Sequence, residues 1–101
     1  MAKVLRAPDA DQDIMQVWHY IAQDNLSAAD RWLDGIEEAA QKLAENPGIG
    51  RSRAKYGKGL RSIPFGNYIL FYVRHSEGIE LIRVNHGARD LDSIFDSPDT
   101  R

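Results

Sequence analysis

The stretch VNHGARD, Val84 to Asp90, places a histidine, an arginine and an aspartate within five positions, with Arg83 one residue upstream. Those types in that spacing could do acid and base chemistry on a phosphate ester. Cleaving RNA through its 2′-hydroxyl needs a base for that proton, an acid for the leaving oxygen, and cations for the charge that grows on the phosphate. His86, with an unperturbed pKa of about 6.5, could serve as base or acid near neutral pH. Arg83, Arg89 and Arg61 would then be the clamp, and Tyr68 or Tyr72 a hydroxyl. A structural role competes for the same residues. His86 ends an apolar run just before Gly87, where a histidine hydrogen-bonds the turn, and Arg89 with Asp90 can pin the end of a sheet as an ion pair. Exposed pairs of that kind add only about 0 to 1 kcal/mol. The residues after Asp90 favour the structural role: LDSIFDSPDTR brings three aspartates and no Lys, His or Tyr, and acid repels RNA. We therefore assign no catalytic residue, with His86, Arg83 and Arg61 as the set a nuclease would require.

A second cluster could bind rather than react. The net charge of -2 hides an asymmetry: residues 1–48 carry nine acids and four bases, residues 49–101 six acids and nine bases. The tightest basic run is RSRAKYGKGLR, where Arg51, Arg53, Lys55, Lys58 and Arg61 surround Tyr56 with no acid among them. Such a run suits an acidic partner or is a solvated loop. Other chemistries are bounded by composition. With no cysteine there is no disulfide and no thiolate metal site. His19, His75 and His86 are too scattered for zinc, and a single domain of 101 residues leaves no room for a cofactor domain. No run approaches the roughly 20 apolar residues of a membrane span, and the N-terminus has no apolar signal core, so the cytoplasm is the expected location.

The elements that must position these residues follow from periodicity. Pro8 suits the first turn of a helix and Asp9, Asp11 and Asp13 complement its N-terminus. Ala10, Ile14, Val17, Trp18 and Ile21 then form one apolar stripe. After QDNLS, Ser27 and Asp30 resemble a capping box, and Ala29, Trp32, Leu33, Ile36, Ala40 and Leu43 repeat the stripe until Asn46, Pro47 and Gly48 stop it. The short connection makes the two helices a hairpin from Pro8 to about Asn46. From Gly57 the period becomes two, predicting an antiparallel meander of LRSIPF, NYILFYVR and IELIRVNH between Gly59 and His86. Turns fall at Gly66-Asn67 and at HSEG, and Pro64 predicts an edge or a bulge in the first strand. KVLR can add a further strand, and residues 97–101 read as a loose tail. The fold class is α+β, the hairpin packed on one face of a small antiparallel sheet. Tyr68, Leu70 and Tyr72 share one face of the second strand, Ile69, Phe71 and Val73 the other. Both faces want cover, and the hairpin supplies only one.

Four words in this order resemble the RelE/ParE superfamily of toxins from type II toxin-antitoxin pairs, and within it the ParE branch. They are the AxxDIxxVWxYI pattern in Ala10 to Ile21, NPGIGRSR from Asn46, GLRSIPFGNYILFY from Gly59, and IELIRVNHGARD from Ile79. The resemblance implies a small toxin without a cofactor, neutralised by a cognate antitoxin whose C-terminal segment wraps it. ParE-like members typically poison DNA gyrase, whereas RelE-like members cut messenger RNA on the ribosome; an inactive relative that serves as a binding partner is a third possibility. Since fold does not fix function, the acidic end of the chain points to gyrase rather than RNA, with no direct sequence-specific nucleic-acid binding and no membrane partner. Arg51, Arg53, Lys58, Arg61, Tyr68, Tyr72, Arg83 and Arg89 are the expected contacts to antitoxin or target, and Gln16, His19 and Gln23 on the polar face of the first helix are further contacts for gyrase.

Overall fold

A computed structural model describes residues 2–95, so the expected loose tail at 97–101 lies outside the described residues. The chain runs β1 (Lys3–Arg6), α1 (Pro8–Ala22), α2 (Leu26–Glu45), a 3-10 turn (Pro47–Ile49), β2 (Arg51–Ser52), β3 (Arg61–Phe65), β4 (Tyr68–His75), β5 (Gly78–His86) and α3 (Leu91–Ile94). The expected α+β class is the one observed. Pro8 opens α1 after the extended Ala7, with Asp9 and Asp11 in the first turn. The start of α2 differs from the capping box expected at Ser27. Asn25 has an extended backbone, and its side chain accepts from the Ala28 N–H at 3.0 Å, so the helix begins one residue before Ser27.

The five strands stand in the order β1-β5-β4-β3-β2. The meander is antiparallel as expected, but β1 joins β5 in parallel, Lys3 opposite Gly78 and Arg6 opposite Leu81, which makes the sheet mixed. The close approach is possible because residue 78 is glycine: a Cβ there would lie 2.0 Å from the Lys3 carbonyl oxygen. No bulge occurs at Pro64, which stays in register with Ile69. The two-residue β2 pairs only with Arg61 and Ser62, so no neighbour asks Pro64 for a donor. The irregularity lies elsewhere. Phe71 faces Arg83 while Tyr72 faces Leu81, leaving Ile82 as an extra residue in β5. That bulge lets Leu81 and Val84, three apart, both enter one core.

The core joins Ala10 and Ile14 of α1 and Ile36, Ala40, Leu43 and Ala44 of α2 to Leu70, Tyr72, Ile79, Leu81 and Val84 of the sheet. Full burial of each large apolar side chain contributes roughly 1.5 to 3 kcal/mol. Trp18 and Trp32 lie at the rim, half-buried. The Trp18 indole donates to Asp30 at 3.1 Å and so ties α1 to α2. On the opposite face of β4, Phe71 is fully buried, and the chain's own end covers it. Phe95 meets Phe71 edge-on at 4.8 Å and Tyr56 at 5.9 Å, beside the buried Ile94. The face expected to need a partner's cover is thus partly covered from within, because Asp90 restarts a helical turn that returns two apolar residues to the sheet.

Candidate functional site

Past the end of β1, β5 has no strand on that side among the described residues, and its buried amides need other acceptors. Asp13 on α1 supplies one: its carboxylate accepts from the Val84 N–H at 2.9 Å. The same carboxylate holds Arg83 in a two-pronged pair, 2.7 Å from Nε and 3.1 Å from Nη2. Arg83 also donates to the Ile94 carbonyl at 3.3 Å, which ties α1, β5 and α3 to one guanidinium. Both groups are largely out of water, the side chains being 9% and 19% exposed for Asp13 and Arg83. The hydrogen bonds to Asp13 raise the Arg83 pKa above its ordinary value, against the opposing effect of burial. Arg83 is therefore a structural cation, and a phosphate would have to compete with Asp13 for it.

His86 stands exposed at the end of β5. Its Nδ1 accepts from the Ala88 N–H at 3.1 Å across the turn, and its ring meets Tyr68 edge-on at 5.5 Å. That bond places the ring proton of neutral His86 on Nε2. Arg89 and Asp90 do not form the expected ion pair. Asp90 instead caps α3, its side chain accepting from the Asp92 N–H at 3.2 Å, and Arg89 is exposed. Tyr72 is removed from the surface altogether. It is fully buried, its hydroxyl donates to the Pro47 carbonyl at 2.8 Å and accepts from the Gly50 N–H at 2.8 Å, and the hydroxyl would lie 2.4 Å from any Cβ at position 50. The structure therefore corrects its place among the contact residues. Tyr68, half-buried between Trp32 and His86, keeps some surface.

The basic run divides into held and free cations. Arg53 donates from Nε to the Ser62 hydroxyl at 2.8 Å, and Arg61 from Nη1 to the Gly50 carbonyl at 2.7 Å. Arg51 on β2 and Lys58 in the following loop are exposed, as is Lys55, whose ammonium lies 5.5 Å from the centre of the Tyr56 ring. The Asp92 carboxylate raises the Tyr56 phenol above its ordinary value. Gln16 and His19 on α1 and Gln23 at its C-terminal cap are all exposed. Among the described residues no cluster of His, Cys, Asp or Glu could hold a metal, and no helix is long and apolar enough to cross a membrane.

Two structural groups were missed from sequence, Asp13 and Phe95. Asp13 carried a signal: it sits three residues after Ala10 and one before Ile14, on the buried stripe, where a carboxylate needs a partner.

Comparison with known proteins decides the family. A family profile described as the ParE toxin of type II toxin-antitoxin systems matches residues 4–91. The chain belongs to the ParE toxin family. Toxin ParE1 of Mycobacterium tuberculosis is 29% identical over 93 residues, covering 90% of this chain and 95% of that protein. Toxin ParE1 of Caulobacter vibrioides is 31% identical over 87 residues, covering 76% of this chain and 80% of that one, and Toxin RelE3 of the same organism is 28% identical over 88 residues, covering 85% and 95%. Among solved structures, a chain of the chromosomal ParDE system from P. aeruginosa superposes with a TM-score of 0.67 at 20% identity, over 85% of this chain and 96% of that one. A chain of the YoeB-YefM complex from Staphylococcus aureus gives 0.57 at 18% identity, over 85% and 97%. These two carry the fold. The protein is thus a ParE-type toxin of the type II toxin-antitoxin class.

Proposed function

We propose that this ParE-family toxin acts by binding DNA gyrase, without covalent chemistry of its own, and that its antitoxin silences it by occupying the basic face of Arg51, Lys55 and Lys58. One observation carries the first half: the cations and hydroxyl a phosphate clamp would recruit are already committed to the fold. Arg83 is held by Asp13, Arg61 by the Gly50 carbonyl, and Tyr72 lies in the core. His86 remains as a group that could move a proton, with Nδ1 engaged in its own turn. The exposed cations of the basic run, with Arg53, Arg61, Tyr68 and Arg89 at their margins, favour an acidic segment as the silencing partner. The protein then works in the cytoplasm, where gyrase is.

The test sets supercoiling by purified gyrase beside messenger cleavage on purified ribosomes, each with wild type and with His86→Ala. Gyrase inhibition surviving His86→Ala is the expected result, because losing a turn hydrogen bond costs about 0.5 to 1.5 kcal/mol of stability. Losing a true general acid or base would lower a rate roughly 10²- to 10⁴-fold. Ribosomal cleavage by the wild type that His86→Ala abolishes would replace gyrase poisoning with RNA cutting.

A further inference from the structure

The exposed charges of this toxin are sorted by the two sides of its sheet. Arg51 stands opposite Ser62, and Ser62 opposite Phe71. Residues opposite one another across strands share a face, and Phe71 points away from the helical hairpin, so Arg51 does too. Arg53, two residues on, keeps to the same side, its Nε 2.8 Å from the Ser62 hydroxyl. Lys55 and Lys58 follow in the loop, both exposed, and no acid occurs between Arg51 and Arg61. The exposed acids of the hairpin, among them Asp9, Asp30, Asp34 and Glu38, lie on the helical side. Towards α3 the basic patch is bounded by the exposed Asp90 and Asp92.

The patch has the make-up of a phosphate-binding surface. Protein interfaces are anchored by buried aromatic or aliphatic side chains and are poor in lysine, whereas interfaces with DNA are polar and strongly positive. Between Arg51 and Gly59 the only large uncharged side chain is Tyr56. It is half-buried and faces Phe95 at 5.9 Å, so it offers little as an anchor. Ile49, exposed, precedes the run on the 3-10 turn.

Resting on the gyrase reading, we propose that Arg51, Lys55 and Lys58 grip the phosphate backbone of the DNA duplex that gyrase holds, so that the toxin recognises gyrase with its DNA rather than gyrase alone. The contact reads charge and not sequence. With a net charge of -2 and an acidic hairpin, the toxin meets bare DNA in most orientations acid first, which phosphates repel. Gyrase supplies the one orientation that works. Silencing follows from the same chemistry, since an acidic antitoxin segment and a phosphodiester chain both present oxyanions and compete for the same three cations.

The measurement is the affinity of labelled toxin, by fluorescence anisotropy at several salt concentrations, for purified gyrase, for gyrase loaded on a linear duplex, and for that duplex alone. Three exposed ion pairs correspond to a gain of between about 3- and 100-fold, so gyrase on duplex should hold the wild type more tightly than gyrase alone by that factor. The logarithm of the gain should fall against the logarithm of salt with a slope of about -2.7, three phosphates at about 0.9 each. Substituting Arg51, Lys55 and Lys58 together by Ser should bring the gain to about one and its slope to about zero. Arg51→Lys, which keeps the charge, should retain most of both. A wild type that inhibits supercoiling yet shows no gain overturns the DNA contact and leaves the gyrase reading standing. Equal gains for wild type and the triple variant place the contact elsewhere and likewise overturn it. Bare duplex that holds the toxin as tightly as the gyrase-duplex complex overturns the dependence on gyrase. Failure to bind gyrase in either form refutes the gyrase reading itself, and this proposal with it.

Discussion

Removing the Asp13 carboxylate should unfasten three elements at once. Asp13→Ala leaves the Arg83 guanidinium, 19% exposed, without its counter-ion, and strips the Val84 N–H of its acceptor. Breaking one side of a buried pair costs about 3 to 5 kcal/mol, a large share of the roughly 5 to 15 kcal/mol that a small domain possesses. At about 4 to 8 °C per kcal/mol for a domain near this size, the melting temperature should fall by at least roughly 12 °C. Asp13→Asn keeps an acceptor for Val84 but not the charge, and should lie between wild type and Asp13→Ala. The double variant Asp13→Leu with Arg83→Met removes both charges, leaving the orphaned Val84 amide as the main penalty, about 1 to 3 kcal/mol. It should therefore be more stable than Asp13→Ala. Denaturant titration of the four proteins reads all of this. A loss below about 1 kcal/mol for Asp13→Ala, where burial of an unpaired cation requires more, would refute the pairing as a structural lock. The double variant also separates two roles for Arg83: folded and still able to bind antitoxin, it makes Arg83 a brace, whereas folded but unable to bind, it makes Arg83 a contact.

The remaining predictions concern separate regions. Tyr72→Phe orphans the Gly50 amide and the Pro47 carbonyl and should cost about 1 to 3 kcal/mol in denaturant titration with little change in antitoxin affinity. Substituting Arg51, Lys55 and Lys58 together by Ser should weaken antitoxin binding and flatten its salt dependence, read by calorimetry at two ionic strengths; unchanged slopes would remove the basic run from the interface. Asp92 raises the Tyr56 phenol above its ordinary value. A group so raised contributes stability that is complete below its unfolded value and lost as pH climbs through the folded one. The Tyr56→Phe variant should accordingly lose less stability than wild type as pH climbs from the free phenol's ordinary value through the folded one, as followed by tyrosinate absorbance and melting.

The helices and the meander were legible because each is written in local periodicity, and the stripes led by Ile14 and Ile36 pack as that periodicity requires. What escaped was non-local. The parallel docking of β1 depends on a close approach at Gly78, seventy-five residues after Lys3 in the chain, and nothing near Lys3 announces it. The bulge at Ile82 escaped because the apolar letters of IELIRVNH alternate well enough to conceal an extra residue. The site was less legible still, since the same arginine letter stands for a brace at 83, a loop tie at 61 and an exposed cation at 51. Charge type alone cannot distinguish them; the carboxylate or carbonyl that faces each does. The Asp13–Arg83 pair decides the chemistry as well as the stability. A guanidinium that already satisfies a buried carboxylate can clamp a phosphate only by leaving that carboxylate unpaired, at a cost of the same order as that worked out for Asp13→Ala. A fold built this way commits its best-placed cation to joining α1 to β5, and leaves Arg51, Lys55 and Lys58 of the basic run exposed.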